Sequence, residues 1–164
     1  MRAESFEPIA APTAKVLVLG SLPGQESLRR GEYYAHPRNA FWRIIEDLFG
    51  IPAAGDYGER TRGLRDAGIA LWDVCAAAHR PGSLDSAIRA DSVKPNDFAT
   101  FFRDHPRVAL VAFNGAKAAE LFRKQVRLDT PTRIVLPSTS PANASIAYDV
   151  KREHWSAIRR ACES

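Results

Sequence analysis

Cysteine is nearly missing from this chain. Only Cys75 and Cys162 occur among 164 residues, each inside an apolar pattern, so neither a disulfide framework nor a CxxC-type metal or iron–sulfur site is indicated. A reducing, cytoplasmic setting is expected, at the nucleoid if the cell is prokaryotic. No apolar run approaches the ~20 residues that span a bilayer, and the first residues lack the basic-then-apolar order of a secretory leader, so no membrane partner is expected. His36, His79, His105 and His154 show no ligand spacing, which leaves no metal to propose. A GxGxxG fingerprint, a GxxxxGK[ST] loop and a GxSxG elbow are all absent, so nucleotide-cofactor binding and α/β-hydrolase chemistry lose their sequence support and no cofactor is expected.

The excess of one charge sign over the other is also small. Lys and Arg number 23 against 19 Asp and Glu, and the isoelectric point near 9.3 admits a polyanionic partner without identifying one.

What is present is a rhythm. Four short apolar runs, "KVLVLG" (15–20), "GIALWDVC" (68–75), "RVALVAFNG" (107–115) and "TRIVLPST" (132–139), read as buried strands ending in turn chemistry. Between them lie helical spacings, clearest in Phe41, Ile44, Ile45 and Leu48, in Ala118, Leu121 and Phe122, and in Trp155, Ile158 and Cys162. The alternation predicts an α/β fold: a three-layer α/β/α sandwich around a central four-stranded, mostly parallel sheet. A flexible start over 1–12 and one domain over 13–164 are expected.

In such sheets ligands collect outside the carboxyl ends of the strands. Those tips read "GSLPG" (20–24), "WDVC" (72–75), "FNG" (113–115) and "LPSTSPAN" (136–143). The segment from Gly20 to Asn39 is close to the upper limit for a connection lacking secondary structure of its own, and loops of that length are usually functional. Tyr33, Tyr34 and Phe41 offer faces on which a flat heterocycle can stack, while Asp73 and Asn114 offer hydrogen bonds to its edge. Ser138, Thr139, Ser140 and Asn143 supply neutral groups suited to phosphate oxygens.

Taken together, "GSLPG…YYAHPRNAFWRI" and "LPSTSPAN" resemble the two motif regions of the uracil-DNA glycosylase superfamily. The first, in the superfamily's mismatch-specific branch, is a Gly-x-Asn-Pro-Gly turn followed by an aromatic-Ala-His-Pro-x-Asn-x-Phe-Trp run; the second is a Pro-Ser loop near the C-terminus. Within that superfamily the chain is most similar to the hypoxanthine-DNA glycosylase branch. The resemblance implies a damaged or mismatched base in double-stranded DNA as substrate, Ser21, Leu22, Pro23, Gly24, Tyr34, Asp73 and Asn114 around the base, and Ser138, Thr139, Ser140, Pro141 and Asn143 against the DNA. A monomer is expected.

Two departures bear on catalysis. Uracil-specific branches carry Asp or Asn at the third position of the first motif, where this chain has Leu22, which can neither position nor activate water. The best-known uracil enzymes begin the second motif with His, where this chain has Leu136. The polar work then falls to Asn39, whose side-chain carbonyl can orient water beneath C1′ and face the positive charge of an oxocarbenium-like sugar. Asp73, as an acceptor, suits a base that offers N–H, such as N1–H of hypoxanthine.

Plainer readings stand beside these. Asn39 is a good helix cap, Asn114-Gly115 a common turn, His36 a structural hydrogen-bonding group, and Lys151, Arg152, Arg159 and Arg160 a solvated helix face. The leading function is a monofunctional DNA glycosylase that removes hypoxanthine and leaves an abasic site. A uracil or G·T/G·U mismatch glycosylase, a catalytically silent nucleic-acid-binding module and a free-nucleoside hydrolase remain as alternatives.

Overall fold

The computed structural model describes residues 2–129 and 131–164. In chain order its elements are β1 (Arg2–Glu4), β2 (Val16–Gly20), α1 (Gln25–Arg30), α2 (Phe41–Phe49), α3 (Tyr57–Ala67), β3 (Ile69–Asp73) and β4 (Cys75–His79). There follow β5 (Lys94–Pro95), α4 (Phe98–Asp104), β6 (Leu110–Asn114), α5 (Ala116–Gln125), β7 (Thr132–Leu136) and α6 (Tyr148–Glu163). The four apolar runs form one parallel sheet in the order β3-β2-β6-β7. Every residue of β2, β3 and β6 is buried, as a strand covered on both faces requires, which is why their sequences read as unbroken apolar runs.

Alternate residues of these strands feed two cores. Val16, Val18, Ile69, Leu71, Leu110 and Ala112 pack with α2, α6 and Leu64 of α3. Leu17, Leu19, Ala70, Trp72, Val111 and Phe113 pack with Phe98 and Phe101 of α4 and Leu121 and Phe122 of α5. Helices therefore cover both faces, and the three-layer sandwich is the observed architecture. The chain leaves β2 for β3 on one side and later returns to β6 on the other, so strand order reverses beside β2, where α/β sheets open a crevice.

The remaining expectations need correction in detail. From Arg2 onward the start is tied down rather than loose: Arg2–Glu4 pair antiparallel with Ala77–His79, and Ile9 and Leu71 exchange two backbone hydrogen bonds of 2.9 and 2.8 Å. Those bonds cover the outer edge of β3, which would otherwise present unpaired amides and carbonyls. Main-chain pairing of this sort leaves little trace in a polar sequence. Together β1, β4 and β5 make a small antiparallel sheet that the apolar runs do not signal. The connection from Gly20 to Asn39 also contains the short helix α1, with Glu26 in its first turn and Arg29 and Arg30 in its last, matching the helix dipole at both ends.

Candidate active site at the strand tips

Gly20 and Asp73 end neighbouring strands and pair in register. A Cβ at Gly20 would stand 2.5 Å from Asp73 Oδ1 and 2.9 Å from the Tyr34 hydroxyl; only the missing side chain lets carboxyl and phenol close over that strand end. Both groups are sealed from solvent, and both Asp73 Oδ2 and the Tyr34 hydroxyl lack a hydrogen-bond partner in the protein. Buried polar atoms are nearly always paired, so an adjacent pair of orphans calls for an explanation. Burial pushes the Asp73 carboxyl up to about 7, with repulsion from Asp85 adding to the rise and Arg80 opposing it. Burial likewise raises the Tyr34 phenol, with the Asp73 charge adding to the rise and the nearby Asn114 amide opposing it, so it stays protonated and able to donate; the Asn114 amide lies too far or too oblique for a hydrogen bond.

These groups line a pocket of about 100 Å³ at the carboxyl edge of the sheet, together with Ser21–Gly24, Ser27, His36, Asn39, Asn114 and Ser138–Ser140. Tyr34 holds a left-handed backbone, φ +55°, which is uncommon for a bulky residue and accumulates at functional sites. Its ring lies against Phe41, 4.4 Å between centroids. Tyr33 instead belongs to the wall: it is buried and its hydroxyl donates to the Glu7 carbonyl.

Asn39 stands just ahead of α2 and does what a capping residue does, its Oδ1 accepting from the Phe41 amide at 2.9 Å. It also faces the pocket. Among the described residues Nδ2 donates to no protein group, so one amide end is fixed and the other is free. Asn114 differs. Its Nδ2 donates to Thr139 Oγ1 at 2.9 Å, and its Oδ1 accepts from the Thr139 amide at 2.9 Å. The expected base contact is thus a brace for the second motif loop.

That loop is built to hold itself. Ser140 N–H donates to Ser138 Oγ, Ala142 N–H to Ser140 Oγ, and Asn143 Nδ2 to the Ser138 carbonyl. Thr139 is buried and its carbonyl accepts from the Ala40 amide, tying the loop to the start of α2. The assignment of Thr139 to the DNA surface is therefore corrected to an internal role, because its amide, carbonyl and hydroxyl oxygen are all bonded inside the protein. Ser138 and Ser140 line the pocket, with Pro141 and Asn143 outside it in the neighbouring clefts. Gly115 permits the approach: its φ is +96°, and a Cβ there would meet Ser138 Cβ at 3.1 Å.

Leu22 and Leu136 are both buried, one in each core, so neither puts chemistry into the pocket. The first motif offers its backbone and Ser21 instead. Ser21 Oγ donates to Asp85 Oδ1 at 2.6 Å, and the buried Arg80 reaches the carbonyls of Leu22 and Pro23 while its Nε donates to the Gly82 carbonyl. Arg80, Ser83 and Asp85 were missed by the sequence reading. They follow β4, an antiparallel strand that leaves β3 after the single residue Val74, so they belong to no parallel strand tip. The only signal is the charged, turn-rich "HRPGSLD".

The sequence pattern of the uracil DNA glycosylase superfamily matches residues 7–160. A protein from Methanosarcina acetivorans named hypoxanthine DNA glycosylase is 35% identical over 156 residues, 94% of this chain and 96% of that one. A protein of the same name from Methanosarcina barkeri is 33% identical over 147 residues, 89% and 92% of the two chains. A solution NMR structure from Methanosarcina acetivorans, provisionally named a uracil DNA glycosylase, superposes over the full length of both chains with a TM-score of 0.83 at 34% identity.

Proposed function

We infer that this chain, which belongs to the uracil-DNA glycosylase superfamily, is a monofunctional DNA glycosylase that removes hypoxanthine from DNA and leaves an abasic site. It acts as a monomer, in the cytoplasm or at the nucleoid of a prokaryotic cell, on double-stranded DNA whose damaged or mismatched base is flipped out of the stack. The observation that carries the substrate is the orphaned pair, Asp73 Oδ2 and the Tyr34 hydroxyl. Hypoxanthine presents N1–H beside O6: an ionised Asp73 accepts from the first and the Tyr34 phenol donates to the second. Adenine presents the reverse, a bare N1 beside an amino group, and would set acceptor against acceptor. Guanine shares the N1–H and O6 edge, and its 2-amino group and firmer pairing are left to exclude it. The names of the two relatives from Methanosarcina support the same base.

Chemistry follows from the carbonyl of Asn39, which accepts from the Phe41 amide with one lone pair and keeps the second for a water. Cleavage of the N-glycosidic bond passes through an oxocarbenium-like sugar, so a water held by the Asn39 amide and directed at C1′ captures a cation already forming. Hydrogen bonds from the pocket to the departing base lower the charge it must carry away. Asn39 is not a strong base and need not be one. No lysine lines the pocket, so a Schiff base with the sugar, and the strand break that follows from it, has no nucleophile there.

End-labelled duplexes carrying one deoxyinosine, one deoxyuridine or no lesion, treated with protein and then alkali, test this reading. Breaks at deoxyinosine alone are expected. Breaks only at deoxyuridine would replace it with a uracil or mismatch enzyme, and binding with no breaks would replace it with a silent DNA-binding module.

A further inference from the structure

A second cleft opens beside the base pocket and shares Tyr34, His36 and Asn39 with it. Arg43 and Arg60 also line it. Arg60 keeps only 14% of its side chain exposed and is held from three directions. Its Nε donates to the Gly55 carbonyl at 3.0 Å, and its guanidinium lies 4.6 Å from the Trp42 ring centroid and 5.2 Å from that of Tyr57. Both rings are themselves fixed: Trp42 Nε1 donates to the Tyr33 carbonyl, and the Tyr57 hydroxyl accepts from the Tyr33 amide. The ion-pair partner of Arg60, Glu32, stands 3.7 Å from Nη2, too far for a hydrogen bond. Among the described residues both terminal nitrogens of Arg60 therefore keep their donors unspent.

Arg43 repeats the arrangement. Its guanidinium lies 3.6 Å over the Tyr148 ring centroid and makes no ion pair or hydrogen bond among the described residues. Tyr148 is anchored in turn by a 2.6 Å bond from its hydroxyl to Asp47. Arg30, which lines the same cleft, is by contrast spent on Glu26 at 2.8 Å. An unpaired surface arginine ordinarily swings through many rotamers; two that are stacked on immobilised rings have lost that freedom before any ligand arrives. Planar forks with free N–H groups suit phosphate oxygens, which they meet bidentately. The position suits a DNA strand as well. Water held by Asn39 reaches C1′ only if the sugar lies beside that residue, and Asn39 lines both pocket and cleft, so one of the two backbone arms leaving the sugar runs into the cleft.

We propose that this cleft binds the lesion-strand phosphate adjoining the extruded nucleotide, with Arg60 and Arg43 as its two cations and Glu32 as the acid that the phosphate displaces from Arg60. The proposal rests on the base-excision reading above. It adds a charged anchor to the neutral groups of the Ser138–Asn143 loop, and it accounts for an arginine packed between two aromatic rings with no acid within hydrogen-bonding reach.

Titration of deoxyinosine duplexes over a salt series, in an Asn39→Ala background so that the lesion survives, provides the test. Arg60→Gln and Arg43→Gln should each weaken binding about tenfold at low salt and reduce the slope of log affinity against log salt by about one. Glu32→Gln should tighten binding about threefold, a gain that no damage to the fold would produce. A methylphosphonate, which removes one phosphate charge, locates the contact when placed on either side of the lesion. At one of the two positions it should weaken the parent about tenfold, and Arg60→Gln by less than about twofold further. Equal losses for parent and Arg60→Gln at both positions, unchanged salt slopes, or a Glu32→Gln variant that binds no tighter would each overturn the assignment. Failure of wild type to excise deoxyinosine would overturn the glycosylase reading instead, and the salt slopes and Glu32→Gln would still decide the role of the cleft.

Discussion

The pocket has two walls of opposite character. One, built from Asn114 and the Ser138–Asn143 loop, is saturated at its bracing amides: both ends of the Asn114 amide are bonded to Thr139, and the oxygens of Ser138 and Ser140 and the Nδ2 of Asn143 bond within the loop. The other, built from Asp73, Tyr34 and Asn39, has capacity left over, in two orphaned oxygens and a free amide end. A saturated wall fixes shape. An unsaturated one waits for a partner, because a buried group without a hydrogen bond costs about 1–3 kcal/mol until something supplies one. Residues of the same type therefore have different jobs here, and Asn39 against Asn114 is the cleanest instance.

The largest effect should come from Asn39. Asn39→Ala removes one cap bond, worth about 1 kcal/mol of stability, but should lower the single-turnover excision rate by about 10²–10³-fold, the usual loss when a group facing transition-state charge is deleted. Asn114→Ala should divide the other way. It strands the Thr139 amide and hydroxyl in a buried site, so unfolding should become easier by about 2–4 kcal/mol, with activity changing only as far as the loop shifts. Urea unfolding and excision rates measured on both variants test the contrast. A large stability loss for Asn39→Ala with little change in rate would reverse the roles of the two walls.

Asp73 gives the comparison a pH axis. Its carboxyl titrates near 7 in the folded protein and near 3.9 in an unfolded chain, so between these values the folded state holds the extra proton. Stability from this group is complete below about pH 4, falls as pH rises through 7 and is flat above. Asp73→Asn abolishes the dependence and should stabilise the protein above pH 7 by several kcal/mol, about 4 at most. Activity should run against stability: the ionised acceptor exists only above about pH 7, so excision of deoxyinosine should have an acid limb near that value. In Asp73→Asn the limb should vanish and the preference for hypoxanthine over adenine should weaken. An acid limb that persists in the variant would take Asp73 out of the reading of the base.

How far this division was legible in the sequence follows from the same physics. The parallel strands were readable because burial on both faces writes an apolar run into each of them, and the tips of β2, β3, β6 and β7 followed from there. The helices α3 and α4 were not, since "YGERTRGLRDA" has few apolar positions to mark a face and α4 is only seven residues long. Tyr34, Asp73 and Asn39 could be named as pocket groups from their places at or beyond strand tips. Whether an amide was spent or spare could not, because Asn114 is satisfied by a residue 25 positions away. Arg80 and Asp85 were invisible for a related reason: the site recruits them across a sheet that leaves no apolar run. The flexible start was misread because Arg2–Glu4 and Ile9 are held by main-chain pairing rather than by side chains.

The smallest effect belongs to Asn143, on the outer margin of the saturated wall. Its side chain makes one bond, Nδ2 to the Ser138 carbonyl at 3.1 Å, and is half-exposed, so water replaces what Asn143→Ala removes and stability should change by less than about 1 kcal/mol. A loop that only presents its shape to the DNA should then weaken binding by a few-fold and by the same factor whichever base is in the pocket, since phosphate contacts carry no sequence information. Titrating Asn143→Ala against duplexes with deoxyinosine, deoxyuridine and an undamaged pair measures this directly. A loss confined to one lesion would mean that the saturated wall also reads the base, and the distinction between a wall that shapes and a wall that recognises would fail at its margin.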